Sequence, residues 1–341
     1  MALDLHSTFV VLDYVPRHDS DSTDSGLKMT AKCYTIGAHK EQWEPTIQHI
    51  FELQQSKDEN HRIREAWSFD WQNHGDAAVL NREALMSRPG GVSVYEWSSA
   101  IAAFVRSPKM KGHHIVALGH SAGAGAIMLT TKEFPLSALP YAAIILVEPA
   151  IITRELFNAH LDDRMATMNF AVSATSVRRD TWDSRDVAFK WFSKRFPWNT
   201  WDTRVEHGLQ DAPPLGGAVT LKCDRKQEAV SYPDAEGHFE SALLLGRICC
   251  AVPVHLVWGT KNDLIPEFIQ ESLCDAAEGR FVASVTKVKG AGHMVCVYAH
   301  FLPSFLPSFL PSFLPSFLPS FLPSFPHHKV ANLLIRSARS L

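Results

Sequence analysis

The sequence predicts an α/β fold: a mostly parallel central sheet, helices on both faces, and a helical cap inserted between strands. Three observations carry this expectation. Strand-like and helix-like segments alternate along most of the chain, which implies parallel strands joined by crossover helices. Two of the strand segments, Ala142–Val147 and Val252–Trp258, are nearly unbroken apolar runs, as strands buried on both faces must be. Between Ile151 and Cys250 the alternation stops and Trp, Arg and Asp accumulate, which marks an insertion packed over the sheet.

The elements follow in order. Phe9–Val15 and Leu27–Tyr34 read as early strands, and Trp43–Gln54 as an amphipathic helix. Arg62–Trp71 reads as a strand, with Ile63, Ala66 and Phe69 among polar neighbours. Val94–Val105 suits a helix, Ile115–Leu118 a short buried strand closing on a glycine, and Ala122–Phe134 a helix of small residues. Inside the insertion, helical spacing surrounds Asp186–Phe196, and Ala218–Lys222 is the first strand signal. Phe281–Val288 is the last strand, and Val330–Ser337 suits a terminal helix. The expected organisation is a sheet-bearing core over 1–150 and 251–300, a helical cap over 151–250, a low-complexity repeat over 301–326 and a terminal helix over 327–341.

The repeat is Phe-Leu-Pro-Ser, six times without error from Phe301 to Ser324. A proline every fourth residue removes backbone donors and blocks regular helix, so the segment cannot satisfy its own backbone in a bilayer. A four-residue period also fits no solenoid or propeller repeat. The segment reads as an extended insert outside the folded core.

Composition narrows the function. With 46% hydrophobic and 20% charged residues the chain is globular. A net charge of −3 does not suit a nucleic-acid partner, and no stretch of about 20 apolar residues suits a membrane span. Met1–Phe9 lacks a secretory signal pattern. Six cysteines without regular spacing make no disulfide framework; Cys249 and Cys250 read as buried thiols, in a reducing, cytoplasmic setting.

Chemistry concentrates in Gly119-His120-Ser121-Ala122-Gly123, set between a strand and a helix. This is a nucleophile elbow. The turn is tight enough to strain the serine, so residues two before and two after must lack bulk. The helix behind it adds dipole stabilisation for a developing oxyanion. A serine hydroxyl needs a base to take its proton. His293, in Gly290-Ala291-Gly292-His293 after the last strand, fits that part among the 17 histidines. The acid has two candidates. The usual acid turn after the penultimate strand is Gly259 to Pro266, whose acid slot holds Asn262; Asp263 lies one residue late. Glu148, in Val147-Glu148-Pro149, follows the strand beside the nucleophile strand. A carboxylate directly after a buried run needs a partner. Glu148 is preferred, with Asp263 as the alternative.

These residues resemble the α/β-hydrolase superfamily, in particular its fungal branch of peroxisomal-lipase-like and toxin-biosynthesis-like hydrolases. The marks are Lys40-Glu41-x-Trp43-Glu44-Pro45, Asp70-Trp71-Gln72-Asn73-His74-Gly75-Asp76, the elbow, and Val147-Glu148-Pro149. The resemblance implies a carboxylic-ester or related acyl substrate, with a thioester or carbon–carbon bond as the same-class alternatives. It also supports Glu148 as the acid, and implies an oxyanion hole from the N–H groups of Ala122 and Ile36. The rival reading is a catalytically impaired binding protein that keeps the fold. Three departures stand out. The strand that usually ends in His-Gly before the Lys-Glu-x-Trp region is shortened or missing, since Tyr34 leads straight to Thr35-Ile36-Gly37-Ala38-His39-Lys40. The repeat replaces the helix expected after His293. The end Arg339-Ser340-Leu341 does not match the peroxisomal Ser-Lys-Leu-like tripeptide common in that branch.

No phosphate loop or dinucleotide glycine pattern occurs, so no cofactor is expected. His74-Gly75-Asp76 has no partner at metal-ligand spacing, so no metal is expected; Asp70 and His74 read as loop structure beside the site. Trp182, Trp191, Trp198 and Trp201 read as cap packing, with an apolar acyl pocket beneath the lid as the functional alternative.

Overall fold

The computed structural model describes residues 6–13, 27–35, 43–58, 62–195, 208–212, 216–294 and 329–330. Its first elements are β1 (His6–Asp13), β2 (Lys28–Thr35), α1 (Glu44–Leu53), β3 (Ala66–Phe69), α2 (Gly75–Leu80), α3 (Arg82–Met86) and α4 (Val94–Arg106). The site region follows as β4 (His113–His120), α5 (Ala122–Thr130) and β5 (Tyr141–Val147). The insertion holds α6 (Arg154–Ala159), α7 (Leu161–Val177), β6 (Thr181–Trp182), α8 (Arg185–Phe192), β7 (Leu209–Asp211), β8 (Val219–Leu221), α9 (Arg225–Ala229) and α10 (Glu236–Ile248). The chain closes with β9 (Val254–Gly259), α11 (Glu267–Ser272), β10 (Ser284–Val288) and the two-residue β11 (Lys329–Val330).

The central sheet runs β10-β9-β5-β4, all parallel, with β11 beside the start of β4. Period-two alternation assigns its faces. Ile115 and Ala117 of β4, Ile144 and Leu146 of β5, and Val254, Leu256 and Trp258 of β9 join one core with α4, α5 and α10. Val116, Leu118, Ala143, Ile145, Val147, Val257 and Val288 line the other face. The β5 run is buried throughout except Ala142, as a central parallel strand requires.

The early strands form their own antiparallel sheet, β1-β2-β3. β2 pairs with β3, and among the described residues no strand of this sheet pairs with a strand of the central sheet. Packing joins the two sheets instead. Ile47, Ile50 and Phe51 of α1 contact Ala66 of β3 and Leu118 of β4, while Trp67 and Phe69 of β3 pack on Phe104 of α4. α4 is set by a capping box, Ser93 with Glu96, ahead of an apolar stripe.

The insertion is less helical than its sequence suggests. Besides helices it carries a small antiparallel sheet, β6-β8-β7, around a cluster of Trp182, Ala188, Leu209 and Val219. Trp191 and Phe192 pack on Trp182, with ring centroids at 5.5 and 5.1 Å. Trp198 and Trp201 lie outside the described residues. α10, within the span assigned to the cap, places Phe239, Ala242, Leu244, Leu245 and Ile248 in the main core. The adjacent thiols also differ from expectation. Cys249 caps α10 and is half-buried, whereas Cys250 follows it in a turn and is exposed. The repeat lies outside the described residues, as does the expected terminal helix apart from Val330, which is in β11.

Candidate active site

β4 delivers Ser121 to the edge of the sheet, and α5 begins at the next residue. Ser121 has φ 52° and ψ −121°, a conformation that costs a non-glycine residue of order 1–3 kcal/mol. Its surroundings hold it there. The Ser121 N–H donates to the Val147 carbonyl at 3.1 Å, and the Ser121 carbonyl accepts from Ala124 N–H at 3.1 Å and Ala150 N–H at 3.4 Å. The small flanking residues are required: a Cβ on Gly119 would lie 2.6 Å from the backbone nitrogen of Ala124.

β5 ends at Val147, and Glu148 turns the chain with φ 44°. Ser121 and Glu148 are the two non-glycine residues with positive φ among the described residues. Glu148 is buried, at 2% exposure, and its carboxylate is shared between two donors. Oε1 accepts the Gly259 N–H at the end of β9, and Oε2 lies 3.3 Å from His293 Nδ1. The Glu148 N–H in turn donates to the Val257 carbonyl at 2.8 Å.

His293 follows β10 on a glycine-rich loop and is 7% exposed. Its Nε2 lies 2.9 Å from Ser121 Oγ. The structure thus brings Ser121, His293 and Glu148 into one hydrogen-bonded line. Asp263, the alternative acid, also meets His293, but at the backbone: its Oδ1 accepts the His293 N–H at 2.8 Å. Asn262 accepts from the Gln270 side-chain amide at 3.0 Å. Ala122 is the first residue of α5, so its N–H stands at the positive end of the helix. Ile36 lies outside the described residues.

His120, inside the elbow, has a second connection that the motif does not announce. Its Nε2 donates to the His293 carbonyl at 2.8 Å, and the two rings lie 5.0 Å apart. Burial, with the neighbouring His293, pushes the His120 pKa down to about 3, so the ring is neutral near pH 7.

The Asp70–Asp76 stretch is held by contacts of its own. Asp70 Oδ2 accepts from Thr30 Oγ1 at 2.6 Å and from Asp76 N–H at 3.0 Å. His74 stacks on Trp71, which stacks on Trp97. Trp97 in turn stands beside Gly123, where an added Cβ would meet its ring at 3.5 Å. Among the described residues no group of three or more His, Cys, Asp or Glu is arranged to hold a metal.

The fold agrees with what the chain is similar to. The profile of the alpha/beta hydrolase family matches residues 36–302, and the chain belongs to that family. No curated protein matches the sequence. Among solved structures, the peroxisomal alpha-beta-hydrolase Lpx1 of Saccharomyces cerevisiae superposes with a TM-score of 0.65 at 15% identity, over 95% of this chain and 93% of that one. E-2-(acetamidomethylene)succinate hydrolase superposes with a TM-score of 0.58 at 14% identity, over 91% and 100%. An esterase of Mycobacterium tuberculosis superposes with a TM-score of 0.51 at 16% identity, over 82% and 88%. At these identities the likeness is one of fold. Among the described residues no helix is long and apolar enough to cross a membrane.

Proposed function

We propose that this chain is a serine hydrolase that cleaves apolar carboxylic esters through an acyl-serine intermediate. The observation that carries the reading is the line Ser121 Oγ, His293 Nε2, His293 Nδ1, Glu148 Oε2, with separations of 2.9 and 3.3 Å. Its two ends are the strained residues Ser121 and Glu148. Strain at two such positions persists only where the surrounding structure enforces it, and it gathers at functional sites.

In this reading Ser121 Oγ attacks the ester carbonyl as His293 Nε2 takes its proton. Nδ1–H donates to Glu148, which orients the ring and stabilises the imidazolium as it forms. The Ala122 N–H, with Ile36 as the second donor, receives the oxyanion. The imidazolium returns its proton to the leaving alcohol, and a water activated by the same histidine releases the acid. No metal or cofactor is needed for these steps. The cytoplasm is the proposed setting, on the ground that all five described cysteines are free thiols.

The test is turnover of p-nitrophenyl esters of graded acyl length, with a matched thioester beside them. The reading expects ester hydrolysis that Ser121→Ala abolishes. Hydrolysis of the thioester alone would make the protein a thioesterase. Turnover of neither, by folded protein, would refute the hydrolase reading and leave a hydrolase-fold binding protein.

A further inference from the structure

Ser121 is held by the elbow, and Glu148 by the Gly259 N–H. His293 has no such local frame, because it stands on a loop rather than in a strand or helix. Both polar atoms of its main chain are nevertheless taken by side chains from elsewhere in the chain. The N–H donates to Asp263 Oδ1 at 2.8 Å, from the turn after β9. The carbonyl accepts from His120 Nε2 at 2.8 Å, from the elbow itself. These two contacts lie on either side of the Cα from which the imidazole swings.

Local detail supports a built arrangement. Gly292 has no room for a side chain, since an added Cβ would fall 2.8 Å from the Asp263 Cγ. The His120 ring is wedged between the His293 ring at 5.0 Å and Trp43 at 6.4 Å. A carbonyl can only accept, so a neutral His120 must carry its hydrogen on Nε2. Half-buried and neutral, it is a fixed donor.

We propose that Asp263 and His120 are positioning residues that clamp the main chain of His293 and keep its Nε2 in line with Ser121. The proposal rests on the hydrolase reading and assigns Asp263 a task other than that of the triad acid. An error of about 1 Å in such a line costs on the order of 10²-fold in rate. The two hands are unequal. Asp263 lies on an exposed turn, where water competes for its hydrogen bond, whereas His120 is half-buried.

The test compares truncating with conservative variants in the full-length protein. His120→Phe keeps the ring and removes the donor, whereas His120→Gln keeps an N–H at similar reach. Asp263→Ala removes the acceptor, whereas Asp263→Asn keeps an accepting oxygen without the charge. The clamp predicts that kcat for a p-nitrophenyl ester falls about 100-fold in His120→Phe and about 10-fold in Asp263→Ala, with KM within about threefold of wild type. His120→Gln and Asp263→Asn should each recover most of the loss. Hydrogen exchange of the His293 amide, which needs no turnover, should quicken in Asp263→Ala and stay slow in Asp263→Asn. Full kcat in both truncations would overturn the clamp. So would an Asp263→Asn variant as impaired as Asp263→Ala, since its charge and not its acceptor would then matter. If Asp263→Ala does not fold, Asp263→Asn decides: retained kcat with slow amide exchange supports the clamp, and loss of either overturns it. A folded wild type inert to both esters and the thioester would refute the hydrolase reading instead, with amide exchange still testing the clamp.

Discussion

Replacing Glu148 by Gln removes one charge from the buried end of the line and leaves an oxygen for the Gly259 N–H. During attack His293 becomes an imidazolium with a carboxylate oxygen 3.3 Å from its Nδ1. At an effective dielectric of about 20, opposite unit charges at that separation attract by about 5 kcal/mol. That attraction exists in the transition state and is absent while the imidazole is neutral, so it acts on kcat rather than on KM. At about 1.4 kcal/mol per decade it corresponds to a loss of roughly 10³–10⁴ in kcat. The assay is steady-state hydrolysis of the best p-nitrophenyl ester, with thermal unfolding as a control that the variant is folded. Asp263→Asn is the paired measurement, and its loss should be smaller by at least two decades. A folded Glu148→Gln enzyme within tenfold of wild type would refute the reasoning. So would an Asp263→Asn loss that exceeds it, which would give the acid's role to Asp263.

Two further outcomes follow from the structure and one from the sequence. Gly119→Ala would press a methyl group into the Ala124 backbone at 2.6 Å, and backbone cannot move aside as a flexible side chain can; the variant should be insoluble or unfold several degrees earlier, and normal melting would show the elbow to be looser than described. His120, His238 and His255 are half-buried, and desolvation pushes their pKa values down to about 3, 4 and 4, so below about pH 6.5 the unfolded chain takes up protons that the folded chain refuses; stability in urea should therefore fall as pH drops from 6.5 to 5, and a flat profile there would contradict their desolvation. Deleting Phe301–Ser324 and joining His300 to Phe325 should preserve turnover and raise solubility, because a proline at every fourth position of that sequence suits neither helix nor central strand; a folded deletion variant without turnover would show that the segment shapes the site.

The parts of the site that are local in sequence were legible there. A tight turn between strand and helix leaves its mark as glycines around Ser121. A carboxylate directly after the Ala142–Val147 run signals a buried acid that needs a partner, and Asn262 in the usual slot points the same way. What was not legible depends on tertiary placement. The hydrogen bonds from His120 and to Asp263 end on main-chain atoms of His293, and backbone partners leave no residue-type signature. The separate β1-β2-β3 sheet is a matter of which edges meet, and alternation within each strand does not encode that. The β6-β8-β7 sheet has strands of two or three residues, too short for any period to register. α10 looks like cap by position, yet its apolar residues belong to the core under α5. Cys250 sits one residue beyond the buried side of its helix end, a rotation that composition does not carry.

Intact-mass analysis after incubation with a fluorophosphonate tests the central claim most directly, because that reagent bonds only to a serine whose proton is drawn off by a neighbouring base. The account predicts a single adduct, mapped by peptide digestion to Ser121, formed by the wild type and absent from Ser121→Ala and from His293→Ala. A folded wild type that forms no adduct, or one whose adduct maps to another serine, would contradict it.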